Sequence, residues 1–230
     1  MKAMILAAGR GERMRPLTDT CPKPLLTAGF DTLIGHHLRR LRQAGFTDIV
    51  INHAWLGKQI EEALGSGAAY GVNIAYSAEG ETGLETAGGI AAALPLLGSE
   101  PFLAVNGDVF TDIDFQAAFV LADTLNAHHL AHLWLVDNPP HHIAGDFVLL
   151  DNGCLKAAKE GAEKYTFSGV GVYHPMLFSS LEIGKSAKLA PLLRDAMNND
   201  GVSGQKHTGV WLDVGTPQRL AEAARLAGNG

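Results

Sequence analysis

The first hundred residues alternate short apolar runs with helix-spaced ones, and that alternation most restricts what the chain can fold into. Strand-sized apolar runs lie at Lys2–Ala7, Asp48–Asn52, Val72–Tyr76 and Pro101–Asn106. Between them, helical spacing runs through Leu33–Ala44 (Leu33, Leu38, Leu41), Leu56–Leu64 and Thr86–Leu94. The first two helical patterns stop at Gly45 and Gly65, the residue type that ends helices most readily, and the third is expected to open at Gly88-Gly89. Strand and helix in alternation predict a mostly parallel central sheet with helices on both faces. That is an α/β, Rossmann-like three-layer sandwich.

The remainder is less regular. Phe115–Asn126 reads as a helix and Ala131–Val136 as a strand. Asp146–Leu150 and Gly153–Lys156 read as a hairpin that turns at Asp151-Asn152-Gly153. Phe167–Tyr173 reads as a glycine-rich strand, Leu189–Asn198 as an amphipathic helix, His207–Leu212 as a strand and Pro217–Ala227 as a last helix. No low-complexity linker interrupts the chain, and no repeat with a period of roughly 20–50 residues is present. The 230 residues are therefore read as one domain, with a nucleotide-sized half over about 1–110 and a second half over about 111–230 completing the cleft.

A net charge of −6 gives no general attraction to phosphate backbones, which excludes nucleic acid and an anionic membrane as main partners. The longest apolar stretches fall well short of the roughly 20 residues of a membrane span. The N-terminal segment lacks a secretory pattern, and Cys21 and Cys154 form neither a disulfide framework nor metal spacing. The expectation is a soluble cytoplasmic protein with reduced thiols.

The segment after the first strand departs from this acidic background. Leu6-Ala7-Ala8-Gly9-Arg10-Gly11-Glu12-Arg13 leads on to Cys21-Pro22-Lys23-Pro24, with Arg10, Arg13, Arg15 and Lys23 outnumbering Glu12 and Asp19. A glycine-rich turn at that point lies at the carboxyl edge of a parallel sheet, where α/β folds bind ligands. Gly9 and Gly11 let backbone amides approach an oxyanion, while Ala7 and Ala8 leave room for a flat base. Backbone donors with mobile cations are what phosphoryl chemistry requires. A Walker A loop is excluded, since no Gly-Lys-Ser/Thr follows Gly9, and a dinucleotide fingerprint is excluded by Met14 at the third glycine position. Pro16, Pro22 and Pro24 forbid a continuous helix across the loop.

Residues 6–26 resemble the G-x-G-[TE]-R-[LM]-x-P-L-T and P-K-P signature of the sugar-1-phosphate nucleotidyltransferases. Three further segments resemble that family in the same order: Leu84-Glu85-Thr86-Ala87-Gly88-Gly89, Asn106-Gly107-Asp108, and Trp211-Leu212-Asp213-Val214-Gly215-Thr216-Pro217. The resemblance implies an enzyme that joins a nucleoside triphosphate to a sugar 1-phosphate, releasing pyrophosphate, with a fold of the nucleotidyltransferase type. It implies Arg13 on the β- and γ-phosphates and Lys23 between the α-phosphate and the sugar phosphate as the catalytic cations. It implies Leu6, Ala7, Ala8, Gly9, Gly11, Glu81, Glu85 and Thr86 as nucleotide-binding, and Asn106, Gly145, Asp146, Glu160 and Gly169 as sugar-binding. Asp108 and Asp213 each follow a strand-like run and are the implied ligands of Mg²⁺.

Within the family, Leu84–Gly89, Gly145–Phe147, Tyr165–Gly169 and Lys188–Leu193 look most like the members that transfer a uridylyl group from UTP to N-acetylmuramate α-1-phosphate in cell-wall recycling. Members that transfer guanylyl groups to mannose 1-phosphate are the next most similar, and a nucleotide-binding regulator on the same fold is the non-enzymatic alternative. The chain ends one short helix after Pro217, which suggests a monomer. His128, His129 and His132 have a spacing that zinc could use, but without cysteine partners they are expected to be solvated or partly buried, as are His36, His37 and His53.

Overall fold

The computed structural model describes residues 1–158 and 161–228. In chain order the strands are β1 (Ala3–Leu6), β2 (Thr27–Ala28), β3 (Asp31–Thr32), β4 (Asp48–His53), β5 (Asn73–Ala78), β6 (Phe102–Asn106) and β7 (Val109–Thr111). They continue as β8 (Ala131–Val136), β9 (Val148–Leu149), β10 (Leu155–Lys156), β11 (Thr166–Tyr173), β12 (Val202–Lys206) and β13 (Trp211–Asp213). The helices are α1 (Leu33–Gln43), α2 (Gly57–Leu64), α3 (Glu85–Leu97), α4 (Ala117–Ala122), α5 (Leu189–Asn198) and α6 (Pro217–Ala227).

One seven-stranded sheet runs in the order β12-β8-β11-β6-β1-β4-β5. β1 is parallel to both β4 and β6, β4 is parallel to β5, and β12 is parallel to β8. β11 alone runs antiparallel to its neighbours β6 and β8. The mostly parallel sandwich expected from the alternation is therefore present, with one reversed strand inside it.

Strand alternation sorts the core into two layers. Ala3 and Ile5 of β1, with Ile49 and Ile51 of β4, pack against Ile34, Leu38 and Leu41 of α1 and Ile60 and Leu64 of α2. Met4 and Val50 point the other way, into a layer with Ala87, Ile90, Ala93 and Leu97 of α3 and Leu189, Leu193 and Met197 of α5. A third, smaller cluster of Met14, Leu26, Ala28, Leu33, Val214 and Ala223 fastens the basic loop to α6. Three short 3₁₀ turns, and no α-helix, carry the loop past its prolines.

Two expectations need correcting. α3 opens at Glu85 rather than at the glycine pair, which lies inside the helix. A Cβ at Gly88 would run into the Lys185 carbonyl and one at Gly89 into the Glu79 carboxylate, so both glycines serve close packing. The free amides of the first turn find a partner instead in the Ala187 carbonyl, bonded by Ala87 N at 2.9 Å and Gly88 N at 3.1 Å. Of the strand expected at His207–Leu212 only Trp211 and Leu212 are extended, in β13; 207–210 is a connection, and the strand that precedes it is β12. β12 is an edge strand of sequence VSGQK that buries only Val202 and Gly204, so it carries no apolar run to detect.

Phe102 is fully buried, with ring centroids 6.0 Å from Tyr173 and 6.1 Å from Phe178. Phe102→Ala should cost about 3–5 kcal/mol of unfolding free energy, read as a lower denaturant midpoint at constant slope. An unchanged midpoint would show that the aromatic cluster does not support the sheet.

Candidate active site

Parallel strands end at a common edge, and the loops that follow β1, β4, β5 and β6 wall a cleft of about 1080 Å³ there. Leu6, Ala7, Ala8, Gly9, Gly11 and Arg13 line it together with Glu81, Glu85 and Thr86, and so do Lys23 and Asp108. A second cavity of about 290 Å³ opens beside it, lined by Gly169, Trp211, Asp213 and the histidines His141 and His142. Asn106 and Asp108 belong to both cavities, so the two meet at the end of β6. The Gly169 backbone lies directly against the Asn106 side chain. A register shift in β11 between Phe167 and Gly171 frees the Ser168 carbonyl, which accepts the Trp211 indole N–H at 2.8 Å.

The two sides of the larger cleft are tied together from beneath. Asn52 accepts the Ala7 amide at 2.9 Å and donates to Glu79 at 2.5 Å, and the other oxygen of Glu79 accepts the Leu84 amide at 2.6 Å. This relay sets the glycine-rich loop against the Gly80–Thr86 segment. Nothing in the sequence announces it, because a single Asn at a strand end carries no motif.

Lys23 Nζ donates to Asp108 Oδ2 at 2.5 Å, with the lysine almost wholly buried and the carboxylate half-buried. Asp213 accepts from Arg219 and lies 3.1 Å from His141 Nε2. The β7–β13 ladder sets Asp213 opposite Val109, and the Val214 amide bonds the Asp108 carbonyl at 2.7 Å. Residues far apart in sequence thus become neighbours. Among the described residues no three His, Cys, Asp or Glu side chains form a metal cage. Asp108 and Asp213 nevertheless both line the smaller cavity, and carboxylates there suit a hard cation that takes its remaining ligands from phosphate and water.

Arg219 belongs to none of the motifs read in the sequence, yet its guanidinium bonds Asp213. It sits one turn into α6, where Thr216 caps its amide at 3.3 Å. A Cβ on Gly215 would stand 2.6 Å from Arg219 Nη2 and 2.9 Å from Arg13 Nη2, so two guanidiniums converge on this one glycine.

Residues 2–229 match the nucleotidyl transferase family. The chain belongs to that family. The N-acetylmuramate alpha-1-phosphate uridylyltransferase of Neisseria meningitidis serogroup B is 67% identical to it over 228 residues, 99% of each chain. The catalytic subunit beta of the mannose-1-phosphate guanylyltransferase of Drosophila melanogaster is 27% identical over 224 residues, covering 94% of this chain and 60% of the fly protein. A crystal structure described as that of a glucose-1-phosphate thymidylyltransferase from Bacillus anthracis superposes with a TM-score of 0.84 at 23% identity, over 99% of this chain and 95% of that one, which establishes the shared fold.

Not every residue expected in this nucleotidyl transferase site reaches it. Gly145 and Asp146 line neither cavity. Asp146 acts from behind the wall instead, contacting His142 Nε2 at 3.0 Å and accepting the Phe167 amide at 2.8 Å, which steadies two lining residues. Gly145 packs tightly against the backbone of Lys164. Glu160 lies outside the described residues. His129 and His132 share the Ser203 hydroxyl at 2.7 and 2.8 Å. His36, His37 and His53 are buried rather than solvated, and burial pushes His37 down to about 4.

The Gly215 geometry supplies a direct test. A methyl group there would press only on the far ends of two flexible side chains, so Gly215→Ala should melt within a few degrees of the parent. It should lose roughly tenfold or more in kcat by displacing Arg13 and Arg219. Unimpaired turnover would mean that the paired guanidiniums are not needed where they stand.

Proposed function

We propose that the chain transfers a uridylyl group from UTP to N-acetylmuramate α-1-phosphate, giving UDP-N-acetylmuramate and pyrophosphate. The carrying observation is that a nucleotide-sized cleft and a smaller cavity meet at Asn106 and Asp108, beside Lys23. Two substrates seated in those cavities would bring their phosphates together where Lys23 and Asp108 already face each other. The 67% identity along the full length to the Neisseria enzyme favours UTP and the muramate sugar over GTP and mannose 1-phosphate. A reaction that consumes UTP belongs in the cytoplasm.

On this reading the base lies on Leu6-Ala7-Ala8 and is bounded by Glu81, Glu85 and Thr86, while the Gly9–Arg13 loop takes the triphosphate. Lys23 bridges the α-phosphate and the sugar phosphate, so that the sugar phosphate oxygen attacks the α-phosphorus in line. Arg13, with Arg219 beside it, compensates charge on the departing pyrophosphate. No covalent intermediate on the protein is required, since positioning and charge compensation carry phosphoryl transfer. Asp108 and Asp213 would hold the divalent ion, taken as Mg²⁺, which when bound supplies positive charge to the phosphate oxygens. Asn106 and Gly169 face the sugar, and Asp146 holds the wall behind it. The chain would act as one domain, with the nucleotide on its first half and the sugar phosphate on its second.

Pyrophosphate release with Mg²⁺ should be confined to UTP with N-acetylmuramate 1-phosphate when four nucleoside triphosphates are crossed against the N-acetylmuramate, N-acetylglucosamine, mannose and glucose 1-phosphates. Turnover of GTP with mannose 1-phosphate instead would overturn the substrate assignment and leave the fold and chemistry standing. Lys23→Ala should lower kcat by about 10²–10³. Its melting temperature should shift little, because the Asp108 carboxylate left behind is 36% exposed and can be rehydrated. A large melting shift with intact turnover would make Lys23 a structural residue.

A further inference from the structure

In the proposed reaction the Gly9–Arg13 loop meets the triphosphate through its backbone amides and Arg13, and the side chain of Arg10, a residue that also lines the nucleotide cleft, is left without a role. Its guanidinium carbon lies 3.4 Å from the centroid of the Trp55 ring. Trp55 follows β4 and lines the same cleft, and its indole N–H donates to the Thr18 carbonyl at 3.1 Å, which holds the ring in place. One nitrogen of the Arg10 guanidinium, Nη1, is buried and has no hydrogen-bond partner.

A buried cationic donor without an acceptor is unfavourable, and the face of an indole offers a guanidinium attraction without hydrogen bonds. The observed placement is therefore one that Arg10 gives up when a better acceptor enters the same space. Phosphate oxygens are that acceptor, since they take charge-assisted, bidentate hydrogen bonds from the planar fork of an arginine. The backbone on either side permits the turn: Gly9 has open space around its Cα, and Gly11 has φ of +68°.

We propose that Arg10 is a ligand for the triphosphate of the incoming nucleotide, parked on the Trp55 indole in the free protein and exchanged onto phosphate oxygens when the nucleotide fills the cleft. This rests on the nucleotide-binding reading above and adds to it a residue and a movement. The exchange uncovers the Trp55 ring, so indole emission reports it without any turnover. Of the other two tryptophans, Trp134 is buried in the core and Trp211 lines the smaller cavity, which stays empty without sugar phosphate.

The test uses the full chain with Mg²⁺ and no sugar phosphate. UTP and UMP binding are followed by calorimetry and by tryptophan emission in the parent protein, Arg10→Ala, Arg10→Lys and Trp55→Phe. UTP should change the emission of the parent, and the change should vanish in Trp55→Phe. Arg10→Ala should weaken UTP by about 10- to 100-fold, the range expected for charge-assisted hydrogen bonds, and leave UMP affinity as it was. Arg10→Lys should recover part of the loss, because an ammonium still meets phosphate. Equal UTP affinity in the parent and Arg10→Ala overturns the proposal. Equal losses for UTP and UMP also overturn it, by making Arg10 a wall of the base site. A parent protein that binds no UTP brings down the nucleotide reading itself, and the proposal with it.

Discussion

β1 lies between β4 and β6 and runs in the same direction as both, with Ile5 opposite Ile51 on one side and Val105 on the other. Parallel pairing fixes where four chain segments must leave the sheet. The glycine-rich loop, the Trp55 turn, the Gly80–Thr86 segment and Asn106–Asp108 all emerge at one edge, and no other edge could assemble them. The buried layers on either side, built on Ile5 and Met4 of the same strand, hold that edge in register. The site is thus a consequence of strand direction before it is a matter of particular side chains.

Concentrating cations and carboxylates at such an edge is costly unless they neutralise one another, and here they do. Lys23 faces Asp108, and Arg219 faces Asp213. Each pair couples a group suited to phosphate with a group suited to a metal ion. Substrate and metal together can therefore replace both pairs without leaving a charge stranded. The same logic extends to Arg10, whose cation rests on an aromatic ring rather than on a carboxylate.

Much of this was legible in the chain. The alternation of strand-sized and helix-spaced runs predicted the layered sheet, because burial on both faces of a parallel sheet demands continuous apolar strands. The prolines of the basic loop excluded a helix there, and 3₁₀ turns stand in its place. The four family motifs led to Arg13, Lys23, Asn106, Asp108 and Asp213, and all five line the paired cavities. β12 escaped notice because an edge strand with a glycine at its centre leaves no hydrophobic period. Gly145 and Asp146, implied by resemblance to touch the sugar, line neither cavity, since a motif records that residues matter without recording at what distance.

What the sequence determined by itself was the class of fold, the order of its elements and the chemical kind of the site. Those depend on local periodicity, on backbone-restricting residues and on short motifs, all of which act within a few residues. Only the tertiary structure decided which distant groups touch: Asn52 with Ala7 and Glu79, Lys23 with Asp108, and Arg10 with Trp55. Such contacts join segments 27 to 85 positions apart. Their geometry is set by sheet register and helix packing, which no local pattern encodes.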